Sequence, residues 1–127
     1  MRKLFLLGSA AALSLFAVGC VSPGSVCESG VALACDRAFE CQSDQVKNSD
    51  SFKGVYGTSV SECKTKLAAA QSCAAKKSVD ELCTGDNSGK KYDLGNASNC
   101  SDAKKKQSCT DYLDSSKTPT VCTQICK

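Results

Sequence analysis

Thiols are the one reactive group that this sequence supplies in quantity. Its 11 cysteines are Cys20, Cys27, Cys35, Cys41, Cys63, Cys73, Cys83, Cys100, Cys109, Cys122 and Cys126, and the chain contains no histidine. A cysteine can be a nucleophile, half of a redox dithiol, a metal ligand, an acyl acceptor or half of a disulfide, and spacing discriminates among these roles. Redox dithiols favour Cys-x-x-Cys, and structural zinc uses paired knuckles of that kind or mixed Cys/His sets. Neither pattern occurs here, so no metal and no cofactor is expected. Without histidine, the Ser-His-Asp and Cys-His nucleophile systems lack their base. The remaining carboxylate pairs, Asp80 with Glu81 and Asp111 with Asp114, fall at helix starts and exposed faces, where they complement a helix dipole or are solvated. A paired-carboxylate hydrolase is the least favoured reading, because no aromatic-rich substrate cleft accompanies them. No catalytic residue is therefore assigned, and disulfide formation is the chemistry left for most of the thiols.

Cys20 is the exception. It follows Arg2 and Lys3 and an apolar run over residues 4–18, broken only by Gly8, Ser9 and Ser14. That is the plan of a secretory signal. The run is shorter than the roughly 20 apolar residues that span a bilayer. Ser22, Pro23, Gly24 and Ser25 then follow without a stop-transfer charge. The run ends in Ala17-Val18-Gly19-Cys20, which resembles the lipobox of bacterial lipoproteins, with Ala17 where Leu is usual and Val18 in place of a smaller residue. The resemblance implies that residues 1–19 are a cleaved signal peptide and that Cys20 becomes the lipidated N-terminus, carrying diacylglyceryl and amide-linked palmitate-type chains. Several chains together anchor a protein firmly where one binds reversibly. Residues 20–26 read as the lipidated cysteine and a tether. No Asp follows Cys20 to suggest inner-membrane retention, so the outer membrane is favoured. The alternative is an ordinary signal peptide cut nearby and a secreted product, including a eukaryotic secreted cysteine-rich peptide.

Parity supports the lipid. Setting Cys20 aside leaves ten cysteines, an even number that an oxidising compartment can pair into five disulfides, whereas without acylation one thiol is left over. Removing residues 1–19 from 127 leaves 108, the size of one domain. Losing Arg2 and Lys3 takes the formal charge from +3 to +1, too small an excess for a surface that covers a nucleic acid. Four Phe, three Tyr and no Trp make a thin core, so crosslinks worth about 2–4 kcal/mol each must contribute heavily.

These cysteines need elements to position them, and the apolar spacing predicts helices. Cys27, Val31, Cys35, Ala38, Phe39 and Cys41 recur at mostly three- and four-residue steps, with Asp36, Arg37 and Glu40 on the other face, which suggests an amphipathic helix starting after Gly30. Residues 44–58 read as a loop with one helical turn that tucks Phe52 and Tyr56 against the core. Ser59-Val60-Ser61-Glu62 is a capping box, and Val60, Cys63, Leu67, Ala70 and Ala74 form a stripe, so a helix is expected over 60–76. Ser78-Val79-Asp80-Glu81 repeats the cap before a short helix that stops at Gly85. Residues 84–96 read as an exposed loop. Its Asp86, Asn87, Ser88 and Asp93 lack the alternating pattern, central Gly and terminal Glu of an EF-hand. A further helix is expected over 97–113, entered near Ser98 or Asn99. Within it Lys104, Lys105 and Lys106 sweep about 200° of surface and read as a solvated face. Thr118 and Pro119 start a last turn bearing Cys122, Ile125 and Cys126. Gln-Ser-Cys recurs at 71–73 and 107–109, which suggests two similar crosslinked hairpins. The expectation is a mainly α fold, a small disulfide-stapled helical domain of four to five short helices with long loops, over residues 27–127.

Ten cysteines allow roughly nine hundred pairings. Along a straight helix Cys63 and Cys73, or Cys100 and Cys109, lie about 13–15 Å apart, too far to bridge each other. Antiparallel first and second helices would bring Cys41 to Cys63, and Cys35 or Cys27 to Cys73. Cys83 would then meet Cys100, and Cys109 the terminal pair.

The chain also resembles small cysteine-rich lipoproteins of myxobacteria and related bacteria, generally without assigned function. The resemblance rests on the signal with Cys20, on Cys35-Asp36-Arg37-Ala38-Phe39-Glu40-Cys41, on Tyr56-Gly57-Thr58 before the capped Cys63 helix, and on Pro119-Thr120-Val121-Cys122-Thr123-Gln124-Ile125-Cys126. It implies a membrane-anchored lipoprotein and carries over no catalytic residue; the absence of catalytic groups is what sets the expectation that the protein is not an enzyme. Two functions are weighed: a structural or protein-interaction module of the cell envelope with an envelope or extracellular protein partner, and a secreted or surface inhibitor or effector that presents the 84–96 loop to a target.

Overall fold

The first helix opens on a serine and a proline that composition alone reads as linker. In the computed structural model, which describes residues 21–127, α1 spans Pro23–Cys41. The Ser22 hydroxyl accepts the Ser25 amide at 3.1 Å, and Pro23 stands at the first helical position, where its missing N–H costs nothing. The helix therefore starts before Gly30, and of the tether expected over 20–26 only Val21 and Ser22 precede it among the described residues. The signal peptide over 1–19 and the acyl acceptor Cys20 lie outside the described residues. Gly24 faces the chain at Cys73: a Cβ there would stand 3.1 Å from the Cys73 carbonyl oxygen, so glycine lets the two backbones approach.

The segment read as a loop over 44–58 folds into two short helices, α2 (Asp44–Lys47) and α3 (Asp50–Tyr56), because Ser43 and Ser49 each accept an amide three residues on. Phe52 and Tyr56 do join the core. Phe52 is buried, its ring 5.2 Å from Phe39 in an edge contact and 4.7 Å from Tyr56. The chain then turns at Gly57, whose φ of +78° favours glycine. The helix α4 (Val60–Ala70) comes next. Its cap is a variant of the expected box: the Ser59 hydroxyl accepts the Glu62 amide at 3.1 Å, but Glu62 reaches back to the amide and hydroxyl of Thr58, at 2.8 and 2.9 Å.

The helix expected to reach residue 76 ends at Ala70, where Ser72, with φ +52°, reverses the chain in the left-handed conformation. A 3-10 turn, Cys73–Ala75, then carries Cys73 under α1. The second serine cap is real but shorter-ranged, with Ser78 accepting the Asp80 amide at 3.1 Å over a 3-10 turn, Val79–Leu82. Helix α5 covers Leu94–Lys106 and α6 covers Cys109–Leu113. What periodicity joined into one helix over 97–113 is thus two, divided at Gln107 and Ser108, because the Ser108 hydroxyl caps the Asp111 amide at 3.1 Å and starts a new helix. Helix α5 begins earlier than expected because Asp93 accepts the Asn96 amide at 2.8 Å. The chain closes with 3-10 turns at Ser115–Lys117 and Thr120–Gln124.

The protein is a mainly helical, disulfide-stapled domain, with six α-helices among the described residues. Five bridges consume ten cysteines: Cys27–Cys73, Cys35–Cys63, Cys41–Cys109, Cys83–Cys126 and Cys100–Cys122, with Cα separations of 5.4, 5.8, 4.9, 5.8 and 4.8 Å. Of the expected pairings only the Cys27 alternative for Cys73 stands. Cys63 meets Cys35 rather than Cys41, because α2 and α3 intervene between α1 and α4 and shift the register at which those two helices meet. Cys83 and Cys100 take terminal cysteines, and Cys109 takes Cys41. The core is built from Cys27, Val31, Cys35, Cys63 and Cys73, with Phe39, Tyr56, Val60, Leu67, Ala68 and Leu82 around it.

The two halves of the chain meet at Arg37. The sequence pattern places it on the polar face of α1, yet it is only 6% exposed. Its guanidinium donates to the Glu40 carboxylate at 2.7 Å and to the Gln107 carbonyl at 2.6 Å, and lies 4.8 Å above the Tyr112 ring. The carbonyl belongs to the C-terminal end of α5, where a cation also complements the helix dipole. Because a charged hydrogen bond contributes about 1.5–3 kcal/mol and a cation over an aromatic face about 0.5–2 kcal/mol, Arg37→Ala is expected to destabilise the oxidised protein by about 2–4 kcal/mol, and Arg37→Lys by less. Urea unfolding of the three proteins checks this, and equal midpoints would refute it.

Candidate functional site

With ten cysteines paired, no free thiol remains among the described residues to serve as a nucleophile or ligand. The carboxylate pairs serve the backbone. Asp80 accepts the Tyr92 amide and the Lys91 ammonium, each at 2.8 Å, and Asp114 accepts the amide and hydroxyl of Ser116 at 2.9 and 2.7 Å. Glu81 accepts the Lys77 amide at 3.4 Å, and the Asp111 carboxylate is exposed at the start of α6. No group of three His, Cys, Asp or Glu among the described residues is arranged to hold a metal ion.

Two surface features bear on function. The first is a groove of about 440 Å³ between α1 and α5, within the ~300–1,000 Å³ typical of small-molecule sites. Val26, Gly30 and Leu33 of α1 face Leu94 and Ala97 of α5 across it, with Val21 and Tyr92 at one end and Asp102 and Lys105 along the other. Val21 and Leu94 are large apolar side chains left 62% and 47% exposed. The serines of its α1 wall are satisfied locally, for the Ser25 hydroxyl donates to the Ser22 carbonyl and the Ser29 hydroxyl to the Ser25 carbonyl, both at 2.8 Å. The wall therefore asks little of an occupant in hydrogen bonds. Sequence reasoning misses this groove because each wall begins in a stretch that reads as irregular. The available signals are Ser22 before Pro23, and Asp93 three residues before Asn96.

The second feature is the loop expected over 84–96, which is shorter in the structure. Residues 84–91 are exposed, whereas Asp93 and the residues from Leu94 onward belong to the cap and first turn of α5. Its base is tied from both sides to one residue, since Cys126 is bonded to Cys83 and pairs as a β-bridge with Tyr92. Lys91 and Lys127 exchange backbone hydrogen bonds at 2.8 and 3.0 Å, and the Lys127 ammonium sits 2.7 Å from Asp93. Comparison with protein-family models, curated proteins and solved structures finds no match to this chain.

These contacts shift the carboxylates. The hydrogen bond from Lys91, then the Tyr92 amide, holds Asp80 below the usual carboxylate range, and Lys91 rises in return. Asp93 is lowered first by Lys127 and then by the Asn96 amide, Glu62 by the amide and then the hydroxyl of Thr58, and Asp114 by the hydroxyl and then the amide of Ser116. A carboxyl group depressed in the folded state contributes stability in full above its unfolded value, about 4, and loses it as pH falls through the lower folded value. The melting temperature is accordingly expected to drop on acidification below about pH 4. Asp80→Asn combined with Asp93→Asn should flatten that drop, and an unchanged profile in the double variant would contradict the assignment.

Proposed function

We propose that this chain is a membrane-anchored extracytoplasmic lipoprotein, acting through Cys20 as a structural or protein-interaction module of a bacterial cell envelope, with the outer membrane as its address. The observation that carries the reading is the pairing of the ten described cysteines with one another, which sets none of them aside for the eleventh, Cys20, at the end of the apolar run. Five disulfides also suit an oxidising compartment. Among the described residues no helix is long and apolar enough to cross a membrane. The early start of α1 adds a consequence: with only Val21 and Ser22 between Cys20 and the helix, the folded domain sits close against the membrane rather than on a long tether. No reaction is assigned to it. Intact mass of the protein extracted from membranes tests the reading directly. The expected species lacks residues 1–19, carries diacylglyceryl and acyl mass on Cys20, and is ten hydrogens lighter than its fully reduced form. An unmodified Cys20 or a different N-terminus would overturn it.

The second reading, an inhibitor or effector that presents its loop to another protein, is favoured by one observation: residues 84–91 are exposed while their base is held by a disulfide and paired backbone. A recognition loop held this way loses less conformational entropy on binding. Replacement of residues 85–90 by a Gly/Ser segment of equal length is expected to keep the helical circular dichroism signal and abolish capture of a protein partner. A variant that keeps every interaction of the wild type dismisses this reading.

A further inference from the structure

The groove between α1 and α5 starts at Val21, the residue that follows Cys20. On the reading that Cys20 is lipidated, we propose that this groove seats one acyl chain of the Cys20 lipid whenever the protein is in water, covering the chain until a bilayer takes it.

Position is the first argument. Helix α1 begins at Pro23, so no long tether separates the lipid from the fold, and an acyl chain leaving Cys20 is one residue from the apolar side chain that opens the groove. Chemistry is the second. Val26, Leu33, Leu94 and Ala97 provide an apolar lining; on the α1 wall the hydroxyls of Ser25 and Ser29 already donate to the Ser22 and Ser25 carbonyls, so a hydrocarbon strands neither, and the polar lining of the opposite wall is confined to Tyr92, Ser98 and Ser101 before the terminal ion pair. A chain without charge also needs no counter-ion, and the two charged residues of the lining, Asp102 and Lys105, approach each other to 3.8 Å at the far end. The exposure of Val21 and Leu94 is then explained as the unfilled half of a contact. Each methylene withdrawn from water favours the covered state about fourfold. Because the groove is open along one side and a bilayer surrounds a chain completely, the bilayer wins when present, and the groove does not compete with anchoring.

Gly30 offers a clean way to fill the groove. It lines the site, and a Cβ built there meets nothing within 4 Å, so the side chain of Gly30→Leu starts in open space on the groove wall. Gly54 of α3 is equally unobstructed and does not line the groove, so Gly54→Leu is the matched control. Lipidated protein would be isolated from cells fed a diazirine-bearing fatty acid, exchanged into detergent-free buffer at low concentration, irradiated and mapped by peptide mass spectrometry. The expected result is acyl crosslinks within the same chain to peptides containing Leu33, Leu94 or Ala97. Gly30→Leu and, as a second blocking variant, Ala97→Leu should lower the yield at least fivefold, and Gly54→Leu should leave it unchanged. Added phosphatidylethanolamine/phosphatidylglycerol vesicles should move the crosslinks to phospholipid. Crosslinks only between chains, or a yield indifferent to both blocking variants, would overturn the groove proposal while lipid mass on Cys20 still supports the anchor. Absence of that mass would overturn both.

Discussion

Cystine sulfur fills the space here that leucine and phenylalanine fill in larger domains. Among the described residues nine apolar ones are buried, and six of them are halves of disulfides; the most deeply enclosed side chains there are Cys35, Cys63 and Cys73. A chain with four Phe, three Tyr and no Trp has few large apolar side chains to set against the entropy of ordering its backbone. Crosslinks act on the other side of that balance by restricting the unfolded chain. The bridges span sequence separations of 46, 28, 68, 43 and 22, for which the chain-entropy account gives about 3–4.5 kcal/mol each in isolation. Their loops overlap, since the Cys41–Cys109 loop crosses that of Cys27–Cys73, so closing one shortens the next and the contributions do not add.

Helix α1 is the spine of this frame. Three of its cysteines leave in different directions: Cys27 to the 3-10 turn after α4, Cys35 to α4 itself, and Cys41 to α6. The ion pair between Asp36 and Lys64, at 2.9 Å, reinforces the α4 side, and Arg37 reaches the opposite half of the chain at Gln107. The two contacts start from neighbouring residues, so adjacent positions on α1 hold opposite sides of the molecule in register. The groove lies along the same helix on the α5 side and inherits its geometry from these ties.

Much of this is legible in the residues. The cysteine count and parity, the serine caps at Ser59 and Ser78, and the burial of Phe52 and Tyr56 all follow from local chemistry, and the helical, disulfide-stapled class follows from them. Helix boundaries are less legible where composition disguises a cap. Ser22-Pro23-Gly24-Ser25 reads as linker, although Ser-Pro is also how a helix starts, and Asp93 blends into its polar neighbours although it caps α5. The bridges are least legible, for pairing depends on register between elements. Two extra helices between α1 and α4 shift the meeting point from Cys41 to Cys35, and a backbone pairing between residues 91–93 and 125–127 brings Cys126 to Cys83. Arg37 escapes its true position for a related reason: a helical wheel shows a charged face but not the carbonyl and the aromatic ring that another helix brings to it.

The overlapping bridges also impose an order in time. A chain that emerges N-terminus first offers α1 the thiols of Cys63 and Cys73 while residues 94–126 are still to come, so the half bearing the core can oxidise before α5 exists to build the groove. Cys41 has to wait for Cys109, the most distant partner of any bridge in the molecule. Until Cys109 arrives Cys41 is a thiol without its partner, and any bridge it forms with Cys27, Cys35, Cys63 or Cys73 has to be exchanged away before the native connectivity is complete.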